Sequence, residues 1–179
     1  TFAREGAKVL CVDHHLDSAK ETVEMIGVNQ GTAAAFKADV TKGDQLKAMV
    51  ADAHARWGSV DILHNKVGGS LARGVAELLD ITDEAFDRCG ALNLKRCIFA
   101  AKYVLPIMRA QQSGVIINIS SMAVITTYPY VAYKATKSAM VSFTEQLAYQ
   151  NAQYGIRANV ILPGLMNTPM AVDTRARTF

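Results

Sequence analysis

An α/β fold with a doubly wound parallel sheet is the class this sequence predicts, on three observations. Short apolar segments of β type alternate with helical segments of ten or more residues along the chain, a pattern that calls for right-handed crossovers and helices on both faces of a parallel sheet. One segment, residues 115–119 (VIINI), is an apolar, β-branched run of the kind found in a strand buried on both faces. Finally, 179 residues at 50% hydrophobic and 20% charged make one domain with ample core material and exclude a disordered chain.

The elements follow in order. Residues 8–12 (KVLCV) form a short strand ended by Asp13, and residues 16–26 turn polar with helical period. Residues 33–40 read as a strand, 44–56 as an amphipathic helix stopped by Gly58, and 60–63 as a strand running into a Gly68-Gly69 loop. A long helix is expected over 84–109, a strand over 115–119, a helix over 133–154 closed by Gly155, and a last strand over 158–162 halted by Pro163-Gly164. In such a sheet, ligands sit beyond the carboxyl ends of the strands. The residues to inspect are therefore Asp13, Asp39-Val40, Asn65 to Gly69, Ser120-Ser121 and Pro163-Gly164.

A net charge of +3 with scattered Lys and Arg describes a solvated surface and argues against nucleic acid as a partner. Cys11, Cys89 and Cys97 lie in apolar segments without metal-ligand spacing, so they are expected as reduced core residues of a cytoplasmic protein. The four His are dispersed, and no metal is implied. No run is long enough for a membrane span and no signal-peptide pattern opens the chain. The first residue is Thr1 rather than Met, and the sequence is expected to begin inside a longer parent.

Tyr133 and Lys137, four apart on an expected helix, project from one face. Tyr130 and Lys134 share that spacing, so spacing alone does not choose between the pairs. Context favours Tyr133: Tyr130 directly follows Pro129 at the helix entry, whereas the small Ala135 and Thr136 between Tyr133 and Lys137 leave room for a ligand. A free phenol, with a pKa of about 10, is a poor base at neutral pH, and an ammonium about 4–6 Å away favours its ionised form. Ser121 follows the buried strand, where its hydroxyl could donate to a carbonyl oxygen on which charge develops. Asp13, a carboxylate ending a strand, suits either a helix cap or the ribose hydroxyls of a dinucleotide, where it would repel a 2′-phosphate.

Asn118-Ile119-Ser120-Ser121, Tyr133-Lys134-Ala135-Thr136-Lys137 and Pro163-Gly164 with Thr168 together resemble the short-chain dehydrogenase/reductase family, as do five further matches in the family's order. Those are Gly6-Ala7-Lys8-Val9, Asp13, Asp39-Val40-Thr41, Asn65-Lys66-Val67-Gly68 and Asn93. The resemblance covers essentially the whole chain. It implies a Rossmann-type three-layer fold, a nicotinamide cofactor with NAD favoured over NADP, and a catalytic tetrad of Asn93, Ser121, Tyr133 and Lys137. In that scheme Ser121 holds the substrate oxygen, with Ser120 as the fallback because the interval to Tyr133 is one residue shorter than in many relatives. Tyr133 exchanges the proton, Lys137 also grips the nicotinamide ribose, and Asn93 positions a water. The cofactor would further meet Asp13, Asp39, Val40, Asn65, Val67, Gly68, Pro163, Gly164 and Thr168.

The family pattern opens with a strand and a Gly-rich phosphate-binding turn, and closes with further helices and a strand, that this sequence does not carry. Because the opening strand is central to the sheet, its absence is expected to separate the first two strands here from the rest. Lys66 stands where the family usually has Asn, and Val124 where Gly is common. Apolar stripes around Ala100, Val104 and Met108, and around Met140 and Leu147, suggest surface for a homotetramer or homodimer. The expected activity is hydride transfer between NAD(H) and a secondary alcohol or ketone, in a pocket lined by Leu71, Val124, Ile125, Tyr128, Met166 and Met170; the competing reading is nucleotide binding without turnover.

Overall fold

Parallel strands joined by helices make up the fold, which a computed structural model describes over residues 1–69 and 78–166. Strand β1 (Val9–Asp13) leads through helix α1 (Leu16–Val28) to β2 (Ala33–Lys37), and the two pair in parallel with Val9 opposite Ala33. Helix α2 (Gly43–Trp57) then leads to β3 (Ile62–Asn65). Beyond it come α3 (Asp83–Gly90), α4 (Arg96–Gln111), β4 (Gly114–Ile119), α5 (Val131–Asn151) and β5 (Ile156–Ile161). Strands β3, β4 and β5 form a second parallel sheet in that order, with Leu63 opposite Ile116 and Ile116 opposite Ala158.

The predicted elements are present, with shifted ends. The expected strand at 33–40 stops at Lys37, because Asp39 accepts from the Thr41 amide at 2.9 Å and its hydroxyl at 2.7 Å and folds the chain into a turn. The last strand starts two residues early, at Ile156. Gly155 before it lies at φ 68 with its Cβ position 2.6 Å from the Gln112 carbonyl, so only glycine fits that corner. β4 alternates between fully and half-buried positions rather than being sealed on both faces.

The expected single helix over 84–109 is interrupted. Residues Ala91–Lys95 form a π-helical turn between α3 and α4, which inserts a residue into the helical repeat and rotates one part of the helix against the other. The stripes read as oligomer surface prove to be core. Ala100, Val104, Met108, Met140 and Leu147 are all buried, most of them with Ile116 and Ile156 in one cluster between the helices and the β3-β4-β5 sheet. Burying side chains of this size contributes about 1.5–3 kcal/mol each, and the sheet consumes that apolar surface entirely.

The two sheets stand apart as expected. Between them lies a cleft of about 540 Å³, bounded by Val9, Leu10 and Val12 of β1, by Ile62 to Asn65 of β3, and by Leu46 and Val50 of α2. Among the described residues no helix is long and apolar enough to cross a membrane.

Candidate active site

A buried polar ladder fixes the floor of the site. Asn65 at the end of β3 donates from its side chain to Asn118 Oδ1 at 2.9 Å, and the Asn118 side-chain amide of β4 donates in turn to the Thr144 hydroxyl of α5 at 2.9 Å. Thr144 donates to the Met140 carbonyl. With every amide partnered, two strands and a helix are locked in register, as buried polar groups require.

The two adjacent serines have different tasks. Ser120 is buried, and its hydroxyl donates to the Lys137 carbonyl at 2.8 Å, tying β4 to α5. Ser121 is only half-buried; it caps the short turn at Met122–Val124 by accepting from the Ala123 amide and is hydrogen-bonded to Tyr133. The Ser120 and Met122 amides donate to the Ile161 and Pro163 carbonyls at 2.8 and 2.9 Å, which brings the Pro163-Gly164 corner alongside.

Tyr133 and Lys137 share one face of α5, with the ammonium 5.6 Å from the phenol ring centre. Tyr130, by contrast, is the residue that caps the start of α5, and Lys134 turns away to the Thr126 carbonyl. Lys137 is buried and donates to the Ile119 carbonyl at 2.7 Å. Burial, and then the nearby positive charge of Arg96, pull its pKa down to about 8. The Tyr133 phenol moves in the opposite sense to the sequence expectation: burial raises it, and the Ser121 hydrogen bond only partly offsets this. Lys137 spends its ammonium on Ile119 and lies beside the ring, so burial governs the phenol.

Asn93 sits in the π-helical turn, fully buried, and clasps the loop after β3: it accepts from the Gly69 amide at 3.1 Å and donates to the Gly69 carbonyl at 2.9 Å. Its amide also donates to the Cys89 sulfur. The side chain thereby positions the backbone at Gly69. Gly68 beside it is tightly enclosed: a Cβ there would lie 3.0 Å from Asn93 Oδ1 and 3.1 Å from Lys137 Nζ. Val67 is exposed, and Lys66 reaches solvent, so its charge needs no buried partner.

The remaining expected residues lie at the other strand ends. Asp13 accepts from the His15 amide at 2.8 Å and lies 3.1 Å from His14 Nδ1, bracing the turn into α1 while staying partly exposed. Asp39 is held below the usual carboxylate range by its two hydrogen bonds from Thr41, and Val40 lines the cleft. Of the expected pocket lining, Val124 is half-buried, Ile125 and Met166 are exposed, and Tyr128 packs against Tyr133 with ring centres 5.3 Å apart. Thr168, Leu71 and Met170 lie outside the described residues. Arg96, buried beside Lys137, is the site residue the sequence reading missed.

Comparison with known proteins places this arrangement. Residues 1–178 match the family model described as short chain dehydrogenase. The uncharacterized oxidoreductase YxbG of Bacillus subtilis (strain 168) is 34% identical over 178 residues, covering 99% of this chain and 64% of that protein. The sorbitol dehydrogenase of Cereibacter sphaeroides is 34% identical over 168 residues, 93% of this chain and 63% of its own length. The chain thus spans just under two thirds of the curated relatives it matches. A structure of 7α-hydroxysteroid dehydrogenase complexed with NADH and 7-oxo glycochenodeoxycholic acid superposes with TM-score 0.88 at 30% identity, covering 97% of this chain and 66% of that one.

Proposed function

The chain belongs to the short-chain dehydrogenase family, and from that premise we propose that it is an NAD-dependent oxidoreductase interconverting a secondary alcohol and a ketone. The observation that carries this reading is the convergence of Ser121, Tyr133 and Lys137 at the carboxyl end of β4, with the serine hydrogen-bonded to the phenol and the ammonium on the same helix face.

The residues present fit a nicotinamide dinucleotide. Gly68 keeps the backbone close to Asn93 and Lys137, which a Cβ there would meet at 3.0 and 3.1 Å, and Arg96 Nη2 lies buried without a partner among the described residues. When bound, the cofactor supplies the hydride acceptor and donor. Lys137 would hold its nicotinamide ribose, Asp13 the hydroxyls of the adenosine ribose, and Asp39, Val40, Asn65, Val67, Gly68, Tyr133, Pro163, Gly164 and Thr168 the remainder. The Asp13 carboxylate at the end of β1 disfavours a 2′-phosphate there and so favours NAD over NADP.

In the proton half of the reaction, the substrate oxygen sits between the Ser121 hydroxyl and the Tyr133 phenol. Ser121 donates to it as negative charge develops. During oxidation the alcohol proton passes to the ionised Tyr133 oxygen, and in reduction the phenol returns it to the ketone oxygen. The positive charge of Lys137 stabilises the ionised phenol. Polyols and steroids both remain within the substrate class, together with 3-oxoacyl thioesters, and assembly as a cytoplasmic homodimer or homotetramer belongs to the same proposal.

The test separates the two overlapping Tyr/Lys pairs. Tyr133→Phe is expected to lower turnover about 10²–10⁴-fold while NADH binding, read by fluorescence, stays within about twofold of wild type. Tyr130→Phe should keep most of its activity on the same panel of alcohols and ketones. A Tyr133→Phe protein of near-normal rate, or a dead Tyr130→Phe beside it, overturns the assignment.

A further inference from the structure

The side-chain amide of Asn93 is held on two sides, and one of them is sulfur. Toward the loop after β3 its orientation is fixed by the Gly69 backbone. Oδ1 accepts from the Gly69 amide at 3.1 Å and Nδ2 donates to the Gly69 carbonyl at 2.9 Å, so exchanging the two ends would set donor against donor and acceptor against acceptor. That leaves the second Nδ2 hydrogen for Cys89 Sγ, 3.3 Å away near the end of α3. Cys89 is at 0% exposure, so no solvent water stands in for the sulfur.

The same thiol reaches α5. Cys89 Sγ lies 3.8 Å from Thr136 Oγ1, and Thr136 stands between Tyr133 and Lys137 on that helix. A hydroxyl has one proton, and Thr136 gives its own to the Tyr133 carbonyl at 3.0 Å. The direction of the remaining contact follows: the thiol donates to Thr136 and keeps its lone pairs for Asn93. One chain of hydrogen bonds therefore runs from Gly69 through Asn93, Cys89 and Thr136 to the Tyr133 backbone, and the Tyr133 side chain packs against the small cluster that Cys89 forms with Ala132. Each member finds its partner within α3, the π-helical turn, α5 and the loop after β3, so the arrangement draws nothing from the cleft between the sheets.

We propose that Cys89 is a positioning residue of the site: its thiol sets the Asn93 amide, and through it the Gly68-Gly69 backbone that closes on Lys137. Gly68 is enclosed by Asn93 Oδ1 and Lys137 Nζ, at 3.0 and 3.1 Å from its Cβ position, so a turn of the amide is felt beside the ammonium. Cys97 provides the contrast. It is buried on the other side of Asn93 in sequence, and its thiol donates to the Asn93 backbone carbonyl at 3.6 Å rather than meeting the side-chain amide. The consequence for cofactor binding rests on the nicotinamide reading, which sets Val67 and Gly68 against the dinucleotide; the hold on Gly69 does not.

The experiment compares wild type with Cys89→Ala, Cys89→Ser and Cys97→Ala, by deuterium exchange at the Gly69 amide and by NADH titration. Cys89→Ala leaves a buried Asn93 donor unpaired, so exchange at Gly69 is expected to be about fivefold faster or more. Cys89→Ser keeps a donor and an acceptor in place and should return exchange to within about twofold of wild type. Cys97→Ala removes the same volume without touching the side-chain amide and should leave Gly69 near its wild-type rate. NADH binding should weaken about fivefold in Cys89→Ala and recover in Cys89→Ser, with kcat at saturating cofactor nearly unchanged. Where Cys89→Ala does not fold, Cys89→Val fills the space without a partner for the amide and takes its place. Unaltered Gly69 exchange in Cys89→Ala overturns the proposal, as does equal acceleration in both alanine variants, which a cavity alone would produce. A Gly69 response with the NADH affinity of wild type unmoved leaves Cys89 purely structural and overturns it too. If Gly69 responds as expected while wild type binds no NADH, the hold on the loop stands and the nicotinamide reading falls.

Discussion

Lys137 should leave its signature on stability as a function of pH. Its ammonium titrates ordinarily at 10.5 and in the folded chain at about 8, a gap worth about 3 kcal/mol at about 1.4 kcal/mol per pH unit. A base whose pKa falls on folding binds its proton more tightly in the unfolded chain. The cost is complete below about pH 8, shrinks as pH rises toward 10.5, and is gone above it. Lys137→Met removes the titration while keeping most of the length of the side chain. It also strips the Ile119 carbonyl of its 2.7 Å donor, a loss of about 1–3 kcal/mol that does not vary with pH.

The quantity to measure is therefore a difference of differences. Urea unfolding of wild type and Lys137→Met, at pH values from 7 to 11, should show wild type gaining about 3 kcal/mol relative to the variant across that range. Burial raises the pKa of both Cys97 and Tyr133, so each loses stability as the unfolded thiol and phenol ionise, but both are present in the two proteins and largely cancel on subtraction. Arg96 and Cys89, the other groups acting on Lys137, are likewise common to both. A difference that stays flat between pH 7 and 11, or that moves in favour of the variant, would refute the buried, repelled ammonium. The consequence for chemistry is direct, since the same proton decides whether a positive charge stands behind Tyr133.

Two further outcomes follow from the site. Ser120→Ala, which deletes the buried bond to the Lys137 carbonyl, should cost about 1 kcal/mol in urea unfolding and affect rate only through stability, whereas Ser121→Ala should lower turnover about 10²-fold or more beyond the modest stability cost of its lost turn cap; a Ser120→Ala protein that loses turnover at full occupancy of the folded state, beside an active Ser121→Ala, would exchange the roles of the two serines. Asp13→Ala should narrow the preference for NADH over NADPH in paired titrations, since it removes both the ribose acceptor and the charge that opposes a 2′-phosphate; tighter NADPH than NADH binding by the unmutated protein would contradict the choice of cofactor.

What the sequence revealed and what it hid divide along physical lines. The strand-helix alternation was legible because burial imposes its period on each segment separately, so the run at 115–119 and the stop at Gly155 could be read one at a time. The meaning of the apolar stripes was not, because period fixes which face of a helix is apolar and leaves open what covers it. Val104 and Met108 turned out to be covered by the sheet, not by another subunit. The pairing of Tyr133 with Ser121 was recoverable from motif order, but the distinct task of Ser120 depends on a hydrogen bond across to α5 that no local pattern encodes.

Arg96 marks the boundary between the two cases. Spaced four and eight residues before Ala100 and Val104, it falls on the core face of its helix, and a charge on that face is a signal a sequence can give. That signal was obscured by the long helix over 84–109 being taken as one regular repeat. The π-helical turn at Ala91–Lys95 resets the phase, so that Asn93 and Arg96, three apart, are both brought inward against Gly68 and Gly69. The electrostatics of the site then follow from that turn. With Arg96 unneutralised, Lys137 loses its proton near pH 8 and Tyr133 remains a poor base.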